Sequence, residues 1–253
     1  MSRPSRVLAA ATADWRSFLR RRTAVFFTFF FPLMLVVIFG VLVRTEPGGG
    51  GLFTEPSGYY VPGYLAVVVV FTPLSRLGSE VARHRDRGRF EKLATTPLSP
   101  AEWLLAQTAV AVVVVGLAAV AVFALVVALT APALQTSVGG VATLVALVVA
   151  GIVVFCGTGA VLGAVADSQD GAIAFSNALA LPVLFLSETF VPPDLLPAWA
   201  DVLALASPVT YLARGVRAVT GAGGGDPLAN LAVVVIAAAL AFLAGTVAIP
   251  WRA

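Results

Sequence analysis

The sequence predicts an all-α membrane protein. It has six transmembrane helices, an N-terminal amphipathic interfacial helix, and a short re-entrant helical pair between spans five and six. Three observations lead there. Hydrophobic residues make up 59 % of the 253 and charged residues 11 %, against about 45–50 % and about 25 % in a soluble domain. The apolar residues fall in long runs, and a span needs about 20 residues to cross about 30 Å of hydrocarbon. The arginines gather between those runs. The polar remainder is too short for a second folded domain, so residues 1–253 read as one membrane domain without a soluble catalytic unit.

Residues 6–21 read as the interfacial helix. Val7, Leu8, Ala11, Trp15, Phe18 and Leu19 share one arc of a helical wheel, and Arg6, Arg16 and Arg20 lie opposite. That pattern puts an apolar face at the acyl boundary and arginines among headgroups. A full-length span follows this polar start, which is not the pattern of a cleavable signal peptide. Span one is 23–43, with Pro32 inside it as an expected kink. A Gly/Pro loop from Arg44 to Gly58, containing the run Gly48–Gly51, leads to span two, 59–78. Tyr59, Tyr60 and Tyr64 mark its interfacial end.

The stretch 80–102 carries Glu80, Arg83, Arg85, Arg87, Arg89, Glu91 and Lys92. Each charge costs about 2.5–3.5 kcal/mol at mid-bilayer, so it reads as a water-facing loop. Ser99, Pro100 and Glu102 occupy N-cap, N1 and N3 of span three, a capping box. That span is 103–129, with Trp103 at the interface. A short loop around Pro132 precedes span four, 138–165, whose Gly151, Gly157, Gly159 and Gly163 permit close helix approach. Asp167 and Asp170 form a solvated turn before span five, 171–186. Glu188, Pro192, Pro193 and Pro197 open an outer re-entrant region, 187–220, in which the segment 198–220 is apolar but broken by Asp201, Pro208, Arg214 and Arg217 and reads as two short helices joined at Ser207–Pro208. Span six is 227–249, and Trp251 and Arg252 sit at an interface.

With six spans, thirteen of the sixteen Lys and Arg residues fall on one side, and only Arg44, Arg214 and Arg217 on the other. The positive-inside rule makes the richer side cytoplasmic. The expectation is a multi-pass cell-membrane protein with both termini inside. Cys156 and His84 are single, so there is no intrachain disulfide, cysteine cluster or His-based metal site. Lys92 is the only lysine and is not in a Gly-Lys-Ser/Thr sequence, so no P-loop is present. Nothing in the pattern calls for nucleic acid.

Three motifs resemble the permease subunits of type-2 ABC exporters, the drug, polysaccharide and lipid export group. The first is Arg85-Asp86-Arg87-Gly88-Arg89-Phe90-Glu91-Lys92-Leu93 running into Thr95-Thr96-Pro97-Leu98-Ser99-Pro100. The second is Leu186-Ser187-Glu188-Thr189-Phe190-Val191-Pro192, then Leu196-Pro197 and Trp199. The third is Ser207-Pro208-Val209-Thr210-Tyr211, then Arg214 and Arg217. The resemblance covers nearly the whole chain and departs from the family pattern at Arg89 and Glu188.

The resemblance implies a coupling helix between spans two and three that seats on a separate ATP-binding subunit. Two copies of that subunit would carry ATP and Mg, with no cofactor bound by this chain. A second permease chain, commonly the same one, would complete the path, with membrane lipid around it. The coupling residues would be Glu80, Arg87, Gly88, Phe90, Glu91, Lys92, Leu93, Thr95, Thr96, Pro97, Leu98 and Ser99. Phe90, Leu93 and Leu98 would be apolar anchors, with Glu80, Glu91, Lys92 and the arginines as a charged rim. The path or gate would use Asn177, Glu188, Phe190, Pro192, Tyr211 and Arg214.

The residues themselves leave plainer readings open. The loop could be a solvated connector, Asn177 an interhelical hydrogen bonder, and Glu188 a carboxylate that reaches outer water or pairs with Arg214. Two other function classes compete. A stand-alone secondary transporter or channel would need intramembrane ionisable groups and inverted repeats; the centres of spans one to four lack acids, and the halves show no repeat. A non-transporting membrane scaffold is the other.

Overall fold

In a computed structural model the chain is described at residues 2–38, 55–131, 136–223 and 225–251. The end of span one, Arg44 with the Gly48–Gly51 run, Pro132, Gly224 and Arg252 lie outside those residues. The described chain is all-helical: α1 (Arg3–Arg20), α2 (Arg22–Val37), α3 (Val61–Asp86), α4 (Arg89–Ala94), α5 (Pro100–Thr130), α6 (Val138–Val165), α7 (Gln169–Phe185), α8 (Ala198–Ala206), α9 (Pro208–Thr220) and α10 (Pro227–Ala248). Short 3-10 turns at Ser57–Tyr60 and Pro193–Leu195 precede α3 and α8.

The centre of the bundle is α3, buried along most of its length. Against it lie α6, α7, α5 and α9, and α10 packs on the far side of α6. Glycines set these spacings. A Cβ on Gly163 would stand 2.2 Å from the Gly78 carbonyl oxygen, and one on Gly159 2.6 Å from that of Leu74. On the opposite face of α6, a Cβ on Gly157 would meet the Ala241 backbone at 2.3 Å. The three backbones therefore touch, as the glycines of span four predict. Cys156 is packed among them with no exposed surface.

Local sequence signals set several helix ends as expected. Ser99 accepts from the Glu102 amide at 3.3 Å and Glu102 Oε2 accepts from the Ser99 amide at 2.9 Å, completing the capping box. Ser168 caps α7 through the Gly171 amide at 3.0 Å, and Asp167 and Asp170 are exposed. Ser207 caps α9, with Pro208 in its first turn.

Among the described residues, four helical segments are long and apolar enough to cross a membrane: α3 with its leading turn, α5, α6 and α10. The count becomes five if α8 and α9, bent by 84° at their junction, form one broken span. The described apolar part of α2 is only Thr28–Val37. Helix α7 has 17 residues, about 25 Å at 1.5 Å per residue, short of the hydrocarbon thickness. Only 17 % of the most apolar window of α10 is buried, so most of this helix's apolar surface is left uncovered by the rest of the chain.

Three expectations change. The 80–102 stretch is not a loop, because α3 continues to Asp86 and α4 follows after one turn. The charges do not break the helix; they lie at its end, where they pair with one another. In α1, Phe18 and Asp14 are buried and Leu8 and Leu19 exposed, so one edge of the predicted arc faces α5 rather than lipid. Arg6 is not among the free basic residues of that helix, since it binds Glu102. Trp103 and Trp251 are packed inside against Phe90 rather than exposed.

Candidate functional site

At one end of the bundle, α4 forms a corner between α3 and α5. Gly88 starts it with φ +57°, a left-handed conformation that favours glycine. Helix α4 has six residues, too few to hold itself in water, so its position comes from Phe90. That ring is buried, with centroids 5.3 Å from His84, 5.2 Å from Trp103 and 5.7 Å from Trp251. Phe90 therefore faces inward and is not a docking anchor. Leu93 and Leu98 are half-buried against the same core. The corner presents outward Arg87, Arg89, Glu91, Lys92, Thr95, Thr96 and Pro97.

Glu80 is likewise no part of an outer rim. It is buried in α3, bonded by Arg83, with Arg21 Nη1 at 3.5 Å and His84 Nδ1 at 3.4 Å from its carboxylate. Nearby, Asp14 of α1 binds Arg76 of α3 and lies 3.0 Å from the Gln107 amide nitrogen, once that amide is turned to face it. The Arg76 guanidinium rests 5.6 Å from the Phe18 ring centroid. Arg85 donates to the Ala164 carbonyl at the end of α6 at 2.9 Å, a cation at a helix C-terminus. These contacts bring α1, the α3–α4 corner, the end of α6 and the C-terminal Trp251 to one end of the molecule.

Above this end a cleft of about 550 Å³ opens between α2, α3 and α7. Phe71, Thr72, Ser75 and Ser79 of α3 line it on one helical stripe, and Asn177 and Leu181 of α7 face them. Asn177 thus stands on an open wall of the two helices read as spans two and five.

The opposite end holds Glu188, Phe190, Pro192, Tyr211 and Arg214. Glu188 is buried with φ +57° and takes a bidentate pair from Arg214, Nε–Oε2 at 2.9 Å and Nη2–Oε1 at 2.6 Å. Arg217 does more of the holding. Its buried guanidinium lies 3.7 Å over the Tyr59 ring and donates to the carbonyls of Tyr59 (3.1 Å), Thr189 (3.3 Å) and Glu188. Phe190 lies against Tyr64, centroids 6.0 Å apart, where Gly63 leaves it room. Pro192 is buried, and Tyr211 is half-buried with its hydroxyl on the Leu205 carbonyl at 3.0 Å. The segment 187–190 is therefore clasped between the start of α3 and α9.

Sequence reading did not single out Asp14, and it quoted Arg217 as part of the third motif without giving it a place in the site. Asp14 adjoins the apolar arc of α1 next to Phe18, and an acid at that edge of a buried stripe was the available signal. Among curated proteins none matches the chain. The family model for ABC-2 type transporters matches residues 5–220, which take in α1, the α4 corner, the cleft and the clasped segment. The chain belongs to the ABC-2 type transporter family and is a multi-pass membrane protein of that kind.

Proposed function

We propose that this chain is the permease subunit of an ATP-driven exporter, paired with a second permease of the same sequence. ATP and Mg bind two separate ATP-binding subunits, and this chain hydrolyses nothing. It lies in the cell membrane with both termini in the cytoplasm. It crosses six times: the segment 23–43, which contains most of α2, then α3, α5, α6, α7 and α10, with α8 and α9 dipping in from outside. The arginine-rich end is then the cytoplasmic end.

One observation carries the reading. A six-residue helix that could not stand alone is held by a buried aromatic cluster, and its outward face is polar, charged and proline-bounded. Such a corner transmits a push without collapsing, which is what coupling to a moving ATPase needs. Closure of the ATP-binding subunits would move α4, and with it α3 and the wall of the cleft.

The test is co-purification. Tagged chain, gently solubilised from its native host, should bring down a stoichiometric ATPase that carries a P-loop. The exchange Glu91→Lys with Lys92→Glu should lose that partner while the permease remains folded. Full retention of the ATPase by the double variant would refute the docking assignment, and absence of any ATPase in several mild detergents would refute the permease reading.

A further inference from the structure

The α2–α3–α7 cleft has a polarity that its position alone does not require. Its upper wall is apolar, made by Phe31, Phe71 and Leu181. Its lower end is closed by Arg21 and Arg76, and among the described residues no carboxylate lines it. Between the two runs the hydroxyl stripe of α3, from Thr72 to Ser79, about 10 Å at 1.5 Å per residue. The volume of about 550 Å³ is that of a small-molecule site.

The two arginines are not equivalent. Arg76 is committed to Asp14 and has a side chain 14 % exposed. Arg21 is 39 % exposed and reaches Glu80 only at 3.5 Å, while the other oxygen of that carboxylate serves Arg83 and His84. Three guanidiniums, Arg21, Arg76 and Arg83, thus face two carboxylates, Asp14 and Glu80, and positive charge is in excess at the lower end of the cleft. Arg21 is the most exposed of the three and holds the longest of these ion pairs, beside the exposed Arg20 and Arg22.

We infer that the cleft binds an amphiphile with a single anionic headgroup, and that Arg21 is its headgroup ligand. This rests on the permease reading and narrows its cargo class. The apolar body lies against Phe31, Phe71 and Leu181, the linking oxygen accepts from the Ser75 hydroxyl, and the anion sits at Arg21. A cationic amphiphile meets an uncompensated like charge at the same place. A single-chain amphiphile and a two-chain anionic lipid share this chemistry.

The test measures radiolabelled dodecyl phosphate on the full chain in neutral phosphatidylcholine nanodiscs, with empty discs subtracted. Saturable binding is expected, unaffected by excess dodecyltrimethylammonium. Arg21→Gln should weaken it about tenfold, or about 1.4 kcal/mol, and Arg21→Lys should restore most of it. Leu181→Trp, which fills the apolar wall, should also weaken it about tenfold. Displacement by phosphatidylglycerol placed in the disc assigns the site to a two-chain lipid; persistence of binding assigns it to a single-chain amphiphile.

Arg16→Gln, an exposed arginine of α1 away from the cleft, is the control for surface charge. An equal loss in that variant, or equal competition by the cation, would overturn the inference. So would the absence of saturable binding by the wild-type chain. Because no ATPase is present in the discs, such a failure leaves the co-purification result standing and removes only the cargo class.

Discussion

Phe90→Ala should release α4 from the bundle without unfolding the rest. Phe90 is 2 % exposed and touches three aromatic rings, and truncating such a side chain costs about 3–5 kcal/mol. The helix it anchors has six residues, well under the roughly 12–15 that are marginal alone. Phe90 is the one fully buried residue of α4, with Leu93 only half-buried, so most of that cost falls on the corner. At about 3 kcal/mol, and about 1.4 kcal/mol per tenfold, the open population rises about 100-fold. Hydrogen exchange reads this directly, because protection tracks the opening equilibrium. The amides from Leu93 to Thr96, including the Thr96 amide bonded to the Leu93 carbonyl at 2.9 Å, should exchange about 100-fold faster. Amides in the middle of α6 should not change. Phe90→Leu, which keeps much of the volume, should give about a tenfold effect. Exchange at 93–96 altered by less than threefold in Phe90→Ala would refute the claim that this ring positions α4.

Other variants test the remaining contacts. Gly163→Val should cost at least about 1–3 kcal/mol by overpacking, because its Cβ would fall on the Gly78 carbonyl. Gly116→Ala, with nothing within 4 Å of the added methyl, should be neutral or gain up to about 1 kcal/mol of helix propensity; thermal unfolding in detergent separates the two. Ser99→Ala should lose about 1 kcal/mol of capping, measured the same way, with α5 otherwise intact. Arg217→Met should cost about 1–3 kcal/mol, because it strands the carbonyls of Tyr59, Glu188 and Thr189. Arg214→Met leaves the Glu188 carboxylate, whose side chain is only 7 % exposed, without its bidentate partner, and adding Glu188→Gln to it should recover part of that loss. No recovery in the double variant would contradict the description of the clasp.

What was legible in the sequence was local. The Ser99–Glu102 box, the Ser207–Pro208 break and the glycines of α6 could be read because each depends on residues a few positions apart, or on one small residue meeting a backbone. The end of α3 could not. The arginines from 83 to 89 signal water, and water is compatible with a helix that projects past the bilayer as well as with a loop. Phe90 was recognised as important, but its direction depends on His84, Trp103 and Trp251, which tertiary packing brings together. The pairing of Glu188 with Arg214 was one of two readings that spacing left open. The role of Arg217 depends on Tyr59, 158 residues away in sequence, which no local pattern can show.

The most direct test of the proposed function is site-directed photocrosslinking in native membranes. A benzoylphenylalanine at Thr95, exposed on the α4 corner, should form one adduct with a P-loop ATPase, stronger when nucleotide is present. The same group at Trp199, exposed on α8 at the opposite end, should form none. An ATPase adduct from position 199, or no ATPase adduct from position 95, would contradict the assignment of this corner as the docking surface.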